Sequence, residues 1–101
     1  MTAPMSAHPN ATTLKLPATL LQAQAQSVAD GLTDVLTKVL RPGSLAVIDA
    51  SDLNHFDSSA LAVLLTCQRV SAAVGGTLLI TGLPARARNL AQVYGVSELF
   101  A

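Results

Sequence analysis

Residues 44–61 read Ser-Leu-Ala-Val-Ile-Asp-Ala-Ser-Asp-Leu-Asn-His-Phe-Asp-Ser-Ser-Ala-Leu and carry the clearest structural pattern of the chain. The run Ser44–Asp49 is short, apolar and rich in β-branched residues, which predicts a central strand buried on both faces. Residues 50–56 then form a loop. Asp57-Ser58-Ser59 favours the N-cap position and predicts the start of a helix. In α/β proteins such strand-to-helix junctions collect functional groups.

The helix that begins at this motif is predicted to extend to about Val74, because Gly75-Gly76 ends it. Its apolar residues occur mainly at spacings of three and four, as in a helix with one buried face. The residues expected to face the sheet are Ala60, Val63, Leu64, Cys67, Val70 and Val74. Residues 77–81, Thr-Leu-Leu-Ile-Thr, predict another buried strand.

The last helix is predicted to begin near Gly82-Leu83-Pro84, with Pro84 close to its first turn, and to end at Gly95. Residues 96–100 are expected to form a short element that closes the core. Arg86 and Arg88 are assigned to a solvated face or a small electrostatic contact, since two arginines are too few to indicate nucleic acid. The predicted inner face of this helix consists of Ala87, Leu90, Ala91 and Tyr94.

One strand and one helix are predicted before the central strand. The alternating run Thr12–Leu16 predicts a strand that ends at Pro17. A helix is predicted from about Thr19 to Leu40, so only one clear strand precedes it. Met1–Asn10 contains two prolines and small polar residues, which predicts a disordered tail. The predicted apolar face of the helix consists of Leu21, Ala25, Val28, Leu32, Val35, Leu36 and Val39.

Strands that alternate with helices imply crossover connections, and therefore a mainly parallel β-sheet with helices packed against it. A chain of 101 residues supports one modest core. The prediction is a single α/β domain over residues 11–101.

The composition excludes several classes of function. Six Lys and Arg balance six Asp and Glu, so the formal net charge is zero and no basic surface for nucleic acid or anionic membranes is indicated. No apolar run approaches the roughly 18 residues of a membrane span, and the N-terminus lacks the pattern of a signal peptide. With a single cysteine, these features predict a cytoplasmic protein. The high mean hydropathy of +0.48 suggests that a partner covers part of the apolar surface.

Catalysis is not predicted, although His55, Asp57 and Ser58 are the residue types of a hydrolase triad. Residues this close in sequence point in different directions, whereas triads bring together distant segments. Two histidines and one cysteine give no ligand set for a metal. No glycine motif for a phosphate is present, so no cofactor is expected. His55 is assigned to an exposed loop and Cys67 to the core.

The helix that begins at Asp57 also carries apolar residues away from its inner face. At about 100° per residue, this second set consists of Leu61, Leu65, Gln68, Arg69 and Ala72. One explanation is packing against a neighbouring helix. The other is a docking patch for a partner, bordered by the Asp57-Ser58-Ser59 turn. Both explanations remain open from the residues alone.

Residues 47–61 resemble the signature of the STAS domain family. In that signature, a strand ending in Asp precedes a Ser-x-Leu loop, an apolar residue and Asp-Ser-Ser-Gly-Leu. The corresponding residues here are Val47-Ile48-Asp49, Ser51-Asp52-Leu53, Phe56 and Asp57-Ser58-Ser59-Ala60-Leu61. Residues 75–84 and 90–96 also resemble the family. Ala60 replaces the usual Gly of the regulatory members, and the short start is similar to that of the transporter subunits.

The resemblance implies one of two roles. In the small STAS subunit of Mla-type phospholipid ABC transporters, it implies an adaptor that binds and supports the cytoplasmic ATPase subunit, and through it reaches a membrane permease. In the anti-sigma factor antagonists, it implies a switch by serine phosphorylation, at Ser59 or its neighbour Ser58. The expected partner-binding residues are Asp57, Ser58, Ser59, Leu61, Leu65, Gln68 and Arg69.

Overall fold

Helices alternate with strands along the chain, as predicted. The structure is a computed structural model and describes residues 12–96. The predicted tail over residues 1–10 and the predicted element after residue 96 lie outside these described residues. None of the helices within them has the length and apolar character that a membrane span requires. The elements are β1 (Thr12–Lys15), β2 (Thr19–Leu20), α1 (Gln22–Val39), β3 (Leu45–Asp49), β4 (His55–Phe56), α2 (Ser58–Ala73), β5 (Thr77–Thr81) and α3 (Ala85–Val93).

Three strands form a parallel sheet in the order β1, β3, β5, which confirms the predicted α/β class. β3 is the central strand, and its Ala46 lies opposite Thr12 on one side and Leu78 on the other. The β-branched and aliphatic residues of the three strands favour this extended arrangement. Because the strands are parallel, their carboxyl ends lie at one edge of the sheet, where the chain leaves β3 toward α2.

α1 and α2 cover one face of this sheet within residues 12–96. The chain passes from β1 through α1 to β3, and from β3 through α2 to β5, so both crossovers advance in the same direction. Right-handed crossovers that advance in one direction place their helices on the same face. Ala46, Ile48 and Leu78 are buried on that face, whereas Leu79, on the opposite face, is 45% exposed.

The prediction of strands buried on both faces is therefore wrong for β5, whose burial alternates along the strand. In β3, Leu45 and Val47 are only half-buried on the side away from the helices. We call these two residues and Leu79 the open sheet face. Apolar composition alone does not reveal it, because the direction of the crossovers decides which face the helices cover.

A second, two-stranded parallel sheet joins β2 to β4 and corrects the predicted start of α1. Thr19 pairs with His55, and the fully buried Leu20 pairs with Phe56. α1 therefore begins at Gln22 rather than near Thr19, and two strands rather than one precede it. A strand of two residues depends on its partner strand, which no local pattern reveals.

α1 and α2 pack together and supply much of the core. Leu32 and Leu36 of α1 are buried, whereas Leu21 and Val39 from its predicted apolar face are 38% and 40% exposed. Leu21 is the N-cap residue of α1 and Val39 is its last residue, so neither is enclosed by neighbouring turns. On α2 the predicted inner residues are buried or half-buried: Ala60, Val63, Leu64 and Cys67 are buried, and Val70 and Val74 are half-buried.

α3 packs against the rest of the domain through small residues. Ala87 and Ala91 are fully buried, Leu90 is half-buried, and Pro84 is the N-cap residue. The prediction that Tyr94 belongs to the inner face is wrong, because this side chain is 60% exposed. Tyr94 is the C-cap residue, beyond the last buried turn of the helix.

Candidate docking site at the start of the second helix

Asp57 organises the start of α2. Its backbone is extended, with a φ of −130°, and its Oδ1 accepts a hydrogen bond of 2.8 Å from the Ser59 N–H. Its Oδ2 accepts a longer bond of 3.3 Å from the Gln22 N–H at the start of α1. These donors, the Ser59 N–H above all, hold the pKa of Asp57 below its ordinary value of 3.8. The predicted N-cap is confirmed, and the same carboxylate links the first turns of α1 and α2.

The signature loop covers residues 50–54 rather than the predicted 50–56, because His55 and Phe56 form β4. Short contacts fix its path. Asp49 accepts a 2.9 Å bond from the Ser51 N–H, and hydrogen bonds from Ser51 lower the pKa of Asp49. Asp52 forms a 3.0 Å salt bridge with Lys15, and this hydrogen-bonded pairing raises the pKa of Lys15. Gly82 approaches the loop so closely that an added Cβ would lie 2.9 Å from the Ser51 Cβ.

A shallow apolar groove of about 360 Å³ lies beside the first half of α2. We call it the α2 groove. Tyr94 forms an exposed part of its wall. Such a groove receives apolar side chains of another protein, because burial removes their surface from water. Its lining residues are Ser58, Leu61, Ala62, Leu65, Tyr94 and Val96.

The two leucines predicted away from the inner face of α2 have different surroundings. Leu65 is half-buried in the wall of the groove. Leu61 also lines the groove but is only 4% exposed and belongs to the core, so its prediction as an off-core residue is wrong. A helical wheel of α2 alone does not show that the end of α3 packs beside this helix. Neighbour packing therefore explains Leu61, whereas Leu65 offers accessible apolar surface.

The structure brings together part of the predicted docking set. Ser58 is exposed at the groove, whereas Ser59 is half-buried and its backbone N–H donates to the N-cap carboxylate. Arg69 is exposed one helical turn beyond Leu65. Gln68 is half-buried and lies outside the groove lining. Phosphorylation of Ser59 or Ser58 stays a prediction.

Three groove residues, Ala62, Tyr94 and Val96, lie outside the predicted docking set. Tyr94 and Val96 flank Gly95, whose φ of 74° turns the chain at the end of α3. The signal for this turn is present in the sequence, because a glycine after a helix commonly adopts this conformation. Nothing in the residue spacing indicates that the turn packs beside α2.

The reactive side chains near α2 differ in their surroundings. Within residues 12–96, no group of three His, Cys, Asp or Glu side chains is placed to hold a metal ion. His55 is exposed, as expected, but its assignment to a loop is wrong, because it pairs with Thr19 in β4. Cys67 is fully buried, and burial raises the pKa of its thiol to about 11, so the thiol is protonated near neutral pH.

Comparison with known proteins identifies a family and a similar fold. The family described as "Mlab, STAS domain" matches residues 5–101. The crystal structure of a sulfate transporter family protein from Wolinella succinogenes superposes with a TM-score of 0.70. That protein is 18% identical in sequence, and the match covers 92% of this chain and 73% of the other, so the likeness shows the fold. No curated protein matches the chain.

Proposed function

This chain belongs to the STAS domain family, and we propose that it is a non-enzymatic adaptor subunit of an Mla-type phospholipid-transport ABC transporter. STAS domains are interaction domains of transporters and of anti-sigma factor antagonists. The match to the family described as Mlab, over residues 5–101, is the observation that favours transport over signalling. In this role the chain binds and supports the cytoplasmic ATPase subunit, and it reaches the membrane permease through that subunit.

The α2 groove is the surface that we assign to the ATPase. Leu65 and Tyr94 expose apolar area on its walls, and Ser58 provides polar groups at its edge. Aromatic and aliphatic anchors of this kind contribute most to binding when the contact excludes water. The groove also adjoins Asp57-Ser58-Ser59, the motif that the family resemblance associates with partner contacts.

An adaptor that acts by binding alone benefits from a surface that is already ordered. The Asp57 carboxylate joins the first turns of α1 and α2, and the pairing of Leu20 with Phe56 fixes the chain just before α2. The start of α2 therefore needs little further ordering when the partner docks. Less conformational entropy is lost on binding, so more of the interaction free energy contributes to affinity. The remaining free energy is available to favour one conformation of the ATPase.

The substitution Leu65→Asp tests this assignment. It places a carboxylate in an apolar contact, so we expect binding to weaken by about 2–4 kcal/mol if the complex excludes water from the groove. Leu65 is half-buried in the free chain, so the loss of stability should be smaller than the loss of binding. The measurements are the affinity for the ATPase encoded beside this chain and the thermal unfolding of the free variant.

Leu79→Asp is the matched control, because it makes the same substitution at a partly exposed leucine on the open sheet face, outside the groove. The assignment is supported if Leu65→Asp is folded and loses binding while the control variant still binds. Unfolding of Leu65→Asp would make Leu65 an ordinary core residue. Intact binding by a stable Leu65→Asp variant would contradict the assignment and move the interface away from the groove, to the side of α3 that carries Arg88.

A further inference from the structure

Acidic and basic side chains are distributed unevenly along the described residues. The acidic residues within residues 12–96 belong to α1, to β3 and to the segment that ends at Asp57, the N-cap of α2. The helical residues of α2 and α3 carry no acidic side chain. Their charged side chains are Arg69, Arg86 and Arg88, all of them exposed.

The other cations of the described chain already have partners. Lys15 and Lys38 each form a 3.0 Å salt bridge with an aspartate. The Arg41 guanidinium donates to two carbonyl oxygens at the end of α1, at 3.0 and 3.1 Å. Within residues 12–96, no carboxylate lies at salt-bridge distance from Arg69, Arg86 or Arg88. Among the described residues, these three guanidinium groups have no carboxylate partner, so a carboxylate from another protein can pair with them.

Two of these arginines lie near opposite ends of the groove wall that α2 provides. Arg69 follows Leu65 by four residues, a rotation of only about 40°, so it continues the same side of the helix. Arg86 lies over the ring of Phe56, with its Cζ 4.7 Å from the ring centroid. Phe56 immediately precedes the N-cap residue, so this cation is close to the Ser58 end of α2.

We propose that the α2 groove receives an acidic amphipathic segment of the ATPase, whose apolar side chains enter the groove and whose carboxylates pair with Arg69 and Arg86. This inference rests on the proposed function, because it describes the partner of the same surface. Guanidinium groups bind carboxylates through two parallel N–H···O bonds, which adds geometric specificity. Charge pairs at the rim of an interface also accelerate association.

The apolar surface between the two cations distinguishes such a segment from a simple anion. A phosphate group or a nucleic acid would neutralise the arginines but would leave Leu65 and Tyr94 in contact with water. A purely apolar helix would fill the groove but would leave the arginines without counter-charges. A segment with apolar residues on one side and carboxylates beside them matches both features.

The test measures the affinity of the full chain for the purified ATPase subunit as salt rises from about 0.05 to about 0.5 M NaCl. Arg69→Glu and Arg86→Glu should each weaken binding about fivefold at the lowest salt, and the double variant about 20-fold. High salt should weaken the wild-type complex and reduce the difference between wild type and variants. Arg86→Lys keeps the charge and should retain most of the affinity, which separates charge from packing on Phe56.

Arg88→Glu is the matched control, because it makes the same change of charge on α3 but lies about 200° around the helix from Arg86. Its affinity should stay within about twofold of wild type. If Arg69→Glu and Arg86→Glu bind like wild type while Leu65→Asp does not bind, the acidic partner is excluded and the proposed function stands. If the wild-type chain does not bind the ATPase, or occupies the groove with a second copy of itself, both proposals are overturned.

Discussion

The Asp57 carboxylate joins two helices that are distant in sequence. One of its oxygens caps α2 through the Ser59 N–H, and the other accepts the Gln22 N–H at the start of α1. The first turn of α2 contributes Ser58 and Leu61 to the groove. The position of one side chain therefore influences the orientation of the surface that we assign to the partner.

Asp57→Ala removes both hydrogen-bond acceptors, so we expect Tm to fall by several degrees because α2 loses its cap and its link to α1. Asp57→Asn keeps a side-chain oxygen that can accept the Ser59 N–H, and it should recover most of the loss. Thermal unfolding of the two variants beside the wild type provides the measurement. An alanine variant as stable as wild type would show that neither hydrogen bond contributes.

The low pKa of Asp57 also fixes the direction of a pH effect. A carboxyl whose pKa is lower in the folded chain contributes stability that is fully present above its unfolded pKa, and this stability is lost as pH falls through the folded pKa. The wild type should therefore lose stability below about pH 4 more steeply than Asp57→Asn. Asp49 has a lowered pKa as well, so the asparagine variant should retain part of the effect. Urea unfolding at several pH values measures the difference.

The two contacts of Asp57 differ in how far the sequence could predict them. The cap at Ser59 is local, and the residue types of Asp57-Ser58-Ser59 were sufficient to predict it. The bond to Gln22 joins residues 35 apart. It depends on how α1 and α2 pack together, and no spacing within either helix contains that information.

Gly82 lies in the turn from β5 to α3, at a position that requires glycine. Its φ is 68°, and an added Cβ would lie 2.9 Å from the Ser51 Cβ and 3.1 Å from the Ser51 backbone. Gly82→Ala would combine backbone strain with displacement of the signature loop. We expect the free energy of unfolding to fall by about 2–4 kcal/mol, measured by urea unfolding.

Gly43→Ala separates these two costs. Gly43 has a similar φ of 83°, but an added Cβ there meets nothing within 4 Å. The control should therefore lose only the strain contribution, about 1–2 kcal/mol. Equal losses in both variants would show that the contact with Ser51 does not destabilise the chain.

Elements with distinctive residues at both ends were predicted most accurately. α2 lies between the Asp57 cap and Gly75-Gly76, and its observed range agrees with that prediction. The start of α1 was misplaced because β2 is defined by its pairing with β4. The exposure of Leu79 was missed for a similar reason, since it depends on the face that the crossovers leave uncovered.

At the scale of the whole molecule, the α2 groove is a product of tertiary packing. The spacing of α2 indicated Leu65 and Arg69, which the structure leaves half-buried and exposed on one side of the helix. The contribution of Tyr94 and Val96 requires the end of α3 to lie beside α2, and these elements are separated by β5. The family resemblance indicated the start of α2, beside which the groove lies, whereas the second wall of the groove emerges only in the folded chain.

We expect the open sheet face to influence how the free chain behaves in concentrated solution. Within the described residues β5 is an edge strand, it carries no charge, and Leu79 is 45% exposed on it. Uncharged apolar edge strands pair readily with strands of other molecules and promote aggregation. Leu79→Lys should reduce light scattering at high protein concentration while changing the free energy of unfolding by no more than about 0.5 kcal/mol. Equal scattering by wild type and a folded variant would show that this edge does not limit solubility.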